Sequence, residues 1–155
     1  MEICIDTREQ APLYFENSKR LKLSVGDYTP TGDFYSDLYV DRKSLVDLAG
    51  TLSSGKDRVE REIKLAKDLG FYIVFVIEDS YDSIRNYSSS NSFAKRLNGD
   101  HILHEVRDLM SKYDNIQFVT TGTRTAARRV IENIFRLKQQ AKNLDLEFLK
   151  DKGIL

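Results

Sequence analysis

A single cysteine stands in a chain of 155 residues, so no internal disulfide can brace it. Cys4 sits between Ile3 and Ile5, which reads as a small buried hydrophobe in a strand rather than a reactive thiol. No apolar run approaches the roughly eighteen residues that a membrane-spanning helix needs. Met1 leads directly into an apolar stretch, without a basic segment or a cleavage site. A secretory signal is therefore not expected, and an intracellular location is the default expectation. An excess of charge of one sign is also missing, because 24 Lys and Arg balance 24 Asp and Glu. Many nucleic-acid binders are basic overall. Carboxylates gathered at a metal site and ringed by basic residues would nevertheless give the same zero, so the count leaves the partner open.

The composition that is present, 41% hydrophobic and 31% charged, is that of a globular chain able to bury its own core. No internal repeat and no linker divides it, and one domain spanning 1–155 is expected. Ile3–Ile5 reads as a short strand. Leu21–Tyr28 alternates in part, Pro30, Gly32 and Asp33 supply a turn, and Phe34–Lys43 reads as a return strand with Leu38 and Val40 on one face. Ser44–Leu52 reads as a short helix. A longer helix spans about 57–69, where Val59, Ile63, Ala66 and Leu69 recur at helical spacing and Gly70 stands at the C-cap. Phe71–Ile77 is a continuous apolar run suited to a strand covered on both faces. Residues 79–98 read as a loop, with a helical turn around Phe93–Leu97. A helix bearing Ile102, Val106, Leu109 and Met110 follows, then a strand at Ile116–Thr120. A last long helix over about 124–142 buries Ala127, Val130, Ile131, Ile134 and Leu137, and a further short helix is expected within 144–155. This order predicts an α/β domain with a central mixed sheet and helices on both faces.

The chemistry-bearing segment is Gly26-Asp27-Tyr28, followed after a turn by Asp41-Arg42-Lys43. Residues two apart on a strand share a face, so Asp41 and Lys43 project together. The hairpin can bring Asp27 opposite them. Two acids from neighbouring strands and one lysine are what metal-assisted phosphodiester hydrolysis requires: the acids hold a divalent cation and the lysine orients the attacking water and offsets charge on the phosphate. On that spacing alone the commoner explanation is a solvated strand, with Asp27 closing a Gly-Asp turn.

The neighbours make the pattern specific. Asp41-Arg42-Lys43-x-x-x-Asp47 behind a Gly-Asp pair resembles the signature of the XPF-type structure-specific endonuclease domain, G-D-x(n)-E-R-K-x-x-x-D. Ile5-Asp6-Thr7-Arg8-Glu9 is similar to that family's opening strand, which ends in D-x-R-E. Asp57-Arg58-Val59-Glu60-Arg61-Glu62, the strand ending in Glu78, and Ile116–Val119 leading into a helix near Arg124 follow in the family's order, so the resemblance covers nearly the whole chain. It implies a restriction-endonuclease-like fold with a site of the PD-(D/E)-x-K kind. Glu9, Asp27 and Asp41 would be the metal ligands for Mg2+ or Mn2+, and Lys43 the catalytic lysine. Arg42 would reach the scissile phosphate or brace the acids. Asp6, Arg8 and Asp47 would support them, joined by Arg58 and Glu62 from the helix. The implied substrate is branched, flapped or single-strand-containing DNA.

Two departures stand out. Asp41 takes a position usually held by Glu, although the wider nuclease class accepts either acid. The tandem helix-hairpin-helix domain common after such nuclease domains has no counterpart in the residues after the last long helix. DNA-structure selectivity is then expected from the domain itself, a homodimer or a partner protein. Lys19, Arg20 and Lys22 before the Gly-Asp pair, and Arg124 and Arg128 on the last helix, are candidate phosphate contacts. His101 and His104 lack a third ligand and read as a solvated face. Two other readings stay open: a catalytically silent DNA-binding or dimerisation subunit, and a restriction-like or junction-resolving nuclease of the same fold.

Overall fold

The computed structural model describes residues 1–31, 36–88 and 97–155. Among these residues the six strands are β1 (Glu2–Asp6), β2 (Ser18–Leu21), β3 (Tyr28–Thr31), β4 (Leu38–Lys43), β5 (Tyr72–Ile77) and β6 (Ile116–Thr120). They form one sheet in the order β2-β1-β3-β4-β5-β6. β1 runs parallel to β2 and antiparallel to β3, β3 is antiparallel to β4, and β4, β5 and β6 are mutually parallel. The mixed sheet read from the sequence is thus observed.

All six residues of β5 are buried, as an apolar run without alternation demands. Their period of two sends Val74 and Val76 to one face and Ile73, Phe75 and Ile77 to the other. On the first face lies helix α5 (Arg124–Leu137), whose Ala127, Val130, Ile131, Ile134 and Phe135 pack with Val40, Val74 and Val76. On the second lie α1 (Leu45–Thr51), α2 (Lys56–Asp68) and α4 (Gly99–Lys112), which contribute Leu48, Val59, Ile63, Ala66, Ile102 and Leu109. Ser44, Asn98 and Thr123 cap α1, α4 and α5 by accepting from the third backbone N–H beyond. Cys4 is buried, and burial pushes its thiol pKa up. No helix among the described residues is long and apolar enough to cross a membrane.

Several expectations move. The strand expected over Leu21–Tyr28 is instead β2, which ends at Leu21, followed by irregular chain before β3 starts at Tyr28. Asp27 therefore precedes a strand instead of ending one. Pro30 lies inside β3, opposite Ile3, while Gly32, Asp33 and Phe34 fall outside the described residues, and β4 begins only at Leu38. The loop read over 79–98 contains a short helix, α3 (Tyr81–Arg85), capped by Ser80 and anchored by buried Ile84. The helical turn expected around Phe93–Leu97 lies outside the described residues except for Leu97. Met110 stands 43% exposed, off the buried stripe of α4. The last long helix stops at Leu137, because Lys138 adopts φ +52°, and a 3-10 segment, Lys138–Asn143, takes over. The amide of Gln117 donates to the carbonyls of Ala141 and Leu144 (3.1 and 2.9 Å), partners that a continued helix would not need. A final short helix, α6 (Leu146–Asp151), closes the chain.

Candidate active site

β4 changes character along its length. Leu38 and Val40 are buried in the core, whereas Asp41, Arg42 and Lys43 at its carboxyl end are charged. Asp41 and Lys43 share a face, lying in register with Phe75 and Ile77 of β5. Lys43 Nζ stands 2.9 Å from Asp41 Oδ1 and 5.9 Å from the centre of the Phe75 ring. The contact does not have hydrogen-bond geometry, so this buried oxygen has an ion-pair neighbour but no directed donor.

Gly26 brings Asp27 to the same place. It adopts φ +65°, and a Cβ there would come within 2.9 Å of the Val40 carbonyl oxygen, so the close approach of the 26–27 turn to β4 needs glycine. The Asp27 N–H donates to that carbonyl at 2.8 Å. Asp27 Oδ2 in turn accepts from the Arg42 N–H at 2.7 Å. From α2, Glu62 Oε1 accepts from the Gly26 N–H at 3.1 Å.

The electrostatics follow from placing acids together away from water. Burial, then the charge of Asp41, pushes Asp27 up to about 7. Burial likewise raises Asp41, although Lys43 works against it. For Lys43, burial disfavours the charged form but neighbouring Asp41 outweighs it, and its pKa rises.

Arg42 points to the opposite face and is held on three sides. It pairs with Glu78 at 2.7 Å and Glu9 at 3.1 Å, and its Nη2 donates to the Ala11 carbonyl at 2.7 Å. Its side chain is only 10% exposed, and burial works against its charge, yet the Glu78 hydrogen bond and neighbouring acids hold its pKa above the ordinary value. Asp6 is saturated: it accepts from the Arg8 N–H and Nε on one oxygen, and from Arg8 Nη2 and the Leu23 N–H on the other. Burial opposes its charge, but these donors win and its pKa falls. Such an acid braces the turn between β1 and Leu23 and has little left to offer an ion.

Asp6, Arg8, Glu9, Asp27, Asp41, Arg42, Lys43, Asp47, Arg58 and Glu62 all line one cleft of about 1070 Å³. The sequence motif had nominated every one. The candidate phosphate contacts lie outside that lining. Lys19 pairs with Glu2 at 3.0 Å, exposed Lys22 follows β2, and Arg128 lies 3.5 Å from Glu132 and over the Tyr14 ring. Arg20 and Arg124 are engaged with backbone carbonyls of the segment 7–12. Two participants were not nominated. Glu78 follows β5 directly, and its place at the carboxyl end of a buried strand was the available signal. Tyr28 is fully buried and pushed up to about 12 by that burial; its hydroxyl donates to Glu9 Oε2 at 3.4 Å and accepts from the Leu13 N–H.

Among the described residues no three acidic, histidine or cysteine side chains already stand close enough to hold an ion together. Glu9 is turned onto Arg42 and Tyr28. The donor set nonetheless fits a hard divalent cation: half-buried Asp27, raised to about 7, and buried Asp41, with an oxygen lacking a directed donor, are short of positive charge.

A mixed sheet between helical layers, with acids and a lysine at the carboxyl end of one central strand, defines the class as restriction-endonuclease-like. The model of the ERCC4 domain matches residues 5–143, and the chain belongs to that family, the XPF-type nucleases. Among solved structures, XPF from Aeropyrum pernix superposes with a TM-score of 0.64 at 18% identity, over 96% of this chain and 72% of that one. XPF from Aeropyrum pernix in complex with DNA gives 0.63 at 18% identity, over 88% of this chain and 64% of that one. No match to a curated protein is found.

Proposed function

We propose that this chain is a divalent-metal-dependent DNA endonuclease that hydrolyses phosphodiester bonds in branched, flapped or single-strand-containing DNA. The observation that carries the reading is the meeting of Asp27, Asp41 and Lys43 on one side of β4, with both acids raised by burial. Membership of the family supports it, as does the fold it shares with an XPF solved on DNA.

Asp27 and Asp41 would hold the ion, with Glu9 adding an oxygen. Mg2+ or Mn2+ there would polarise the phosphate and acidify a water. Lys43, fixed against Asp41 and over Phe75, keeps its proton, so it acts as a donor that orients the nucleophile and stabilises charge on the phosphate oxygens. Arg42 is enclosed by Glu9, Glu78 and Ala11 and serves as the brace of the acids; of the two roles considered for it, the enclosure favours this one. Asp6 and Arg8 fix the turn after β1, while Asp47 from α1 and Arg58 and Glu62 from α2 line the same cleft.

The test is cleavage of end-labelled forked, flapped, duplex and single-stranded DNA with Mg2+ or Mn2+ and with EDTA. Metal-dependent cutting of the forked or flapped DNA in preference to plain duplex is expected. Binding of DNA without cutting under either metal would instead favour the silent-subunit reading. Cutting of fixed-sequence duplex alone would favour the restriction-like one.

A further inference from the structure

The segment between β1 and Leu13 carries Glu9 but contains no helix or strand. Its carbonyls would face solvent without partners from elsewhere in the chain. Three arginines from three separate elements supply those partners. Arg20, on edge strand β2, donates through Nη2 to the carbonyls of Thr7 and of Glu9 itself, at 3.0 and 2.8 Å. Arg42, on β4, donates to the Ala11 carbonyl. Arg124, the first residue of α5, donates to the carbonyls of Ala11 and Pro12, both at 2.8 Å. The helix does not ask for a cation at that position, since Arg124 stands at the positive end of α5 and no acid occupies its first turn.

We infer that Arg20 and Arg124, both outside the cleft, are positioning residues that strap the segment 7–12 and so set where the Glu9 carboxylate stands at the metal site. This rests on the nuclease reading above. The Glu9 backbone is fixed by Arg20 at its own carbonyl and by the Asp6 carbonyl at its N–H (3.1 Å). Two residues on, Ala11 is pinned by Arg42 and Arg124 together, and its N–H donates to Glu9 Oε1 at 3.3 Å. From that backbone the Glu9 side chain meets Arg42 and Tyr28 and lines the cleft. Groups that hold a ligand's surroundings typically change metal affinity by about 10- to 100-fold when removed.

The rival explanation is that both arginines contact DNA phosphates, and it makes opposite predictions. Arg20→Ala, Arg20→Lys, Arg124→Ala and Arg124→Lys are compared with wild type. Lysine keeps the charge that a phosphate contact uses but is one bond shorter than arginine and falls short of the carbonyls. The readouts are Mn2+ binding by calorimetry without DNA, amide exchange over residues 7–12, and metal-free affinity for forked DNA against salt; a thermal melt confirms folding. The strap predicts that alanine and lysine variants alike bind Mn2+ about 10-fold more weakly, exchange faster over 7–12, and keep the wild-type salt slope. Unchanged Mn2+ affinity in every variant overturns it. A salt slope lowered by about one in the alanine variants and restored by lysine assigns the side chains to phosphate instead. If wild type binds no Mn2+ while exchange over 7–12 still quickens in the variants, the strap stands and the nuclease reading fails.

Discussion

β4 and β5 lie side by side in the centre of one sheet, in register from Leu38 and Tyr72 to Lys43 and Ile77. β5 is apolar throughout and every residue is buried. β4 begins in the same way and then places Asp41, Arg42 and Lys43 opposite Phe75, Val76 and Ile77. Two neighbouring strands therefore have opposite chemistry at their carboxyl ends. Phe75, stacked on Phe118 at 4.8 Å, gains from the low-dielectric layer around it. Asp41 loses hydration in that same layer and is driven toward its neutral form. β5 holds the fold together, whereas the end of β4 holds charge in tension.

Truncating the stable strand should give the largest effect. Phe75→Ala is expected to lower unfolding stability by about 3–5 kcal/mol, read by urea denaturation, because a fully buried ring leaves a cavity.

The tension next to β4 should be visible in the pH dependence of stability. Asp27 is raised in the fold to about 7, above its ordinary 3.8, so the folded state holds its proton more tightly than the unfolded chain does. Its stabilisation is complete below about pH 4 and is lost as pH rises toward 7. In EDTA, wild type should lose stability across that window, and Asp27→Asn, which can still accept from the Arg42 N–H, should reduce the slope and leave the part due to Asp41. A slope unchanged by the substitution would mean that Asp27 is not under this strain.

Lys43→Ala should leave the fold in place and lower cleavage about 10²- to 10³-fold, the scale for losing one donor to the developing charge. Single-turnover rates on forked DNA provide the check. Gly26→Ala is expected to destabilise by about 1–2 kcal/mol, since an L-residue is strained at φ +65°. Weaker Mn2+ binding should accompany it, because the turn that delivers Asp27 must move off the Val40 carbonyl.

The same contrast explains what could be read in the sequence. β5 was evident because burial on both faces leaves an unbroken apolar run, and α2 because Val59, Ile63 and Ala66 repeat at helical spacing. β2 was not, since Ser18–Leu21 is wholly exposed and its pairing with β1 is a parallel edge contact that leaves no alternation. α3 has one buried residue, Ile84, too few to make a stripe. The end of α5 was hidden because Leu137 and Ala141 keep helical spacing across the break at Lys138. The cleft residues were legible through their resemblance to a family motif, since spacing alone fits a solvated strand as well. The roles of Arg20 and Arg124 were not, since their partners are backbone carbonyls, which carry no sequence signature. Glu78 and Tyr28 entered through tertiary contacts with Arg42 and Glu9.

The most direct test of the central claim, that Asp27 and Asp41 jointly bind the ion, is a calorimetric Mn2+ titration without DNA of wild type, Asp27→Asn and Asp41→Asn. Wild type is expected to bind, and each substitution to weaken binding by at least about 10-fold. Equal Mn2+ binding by all three proteins, or none by wild type, would contradict it.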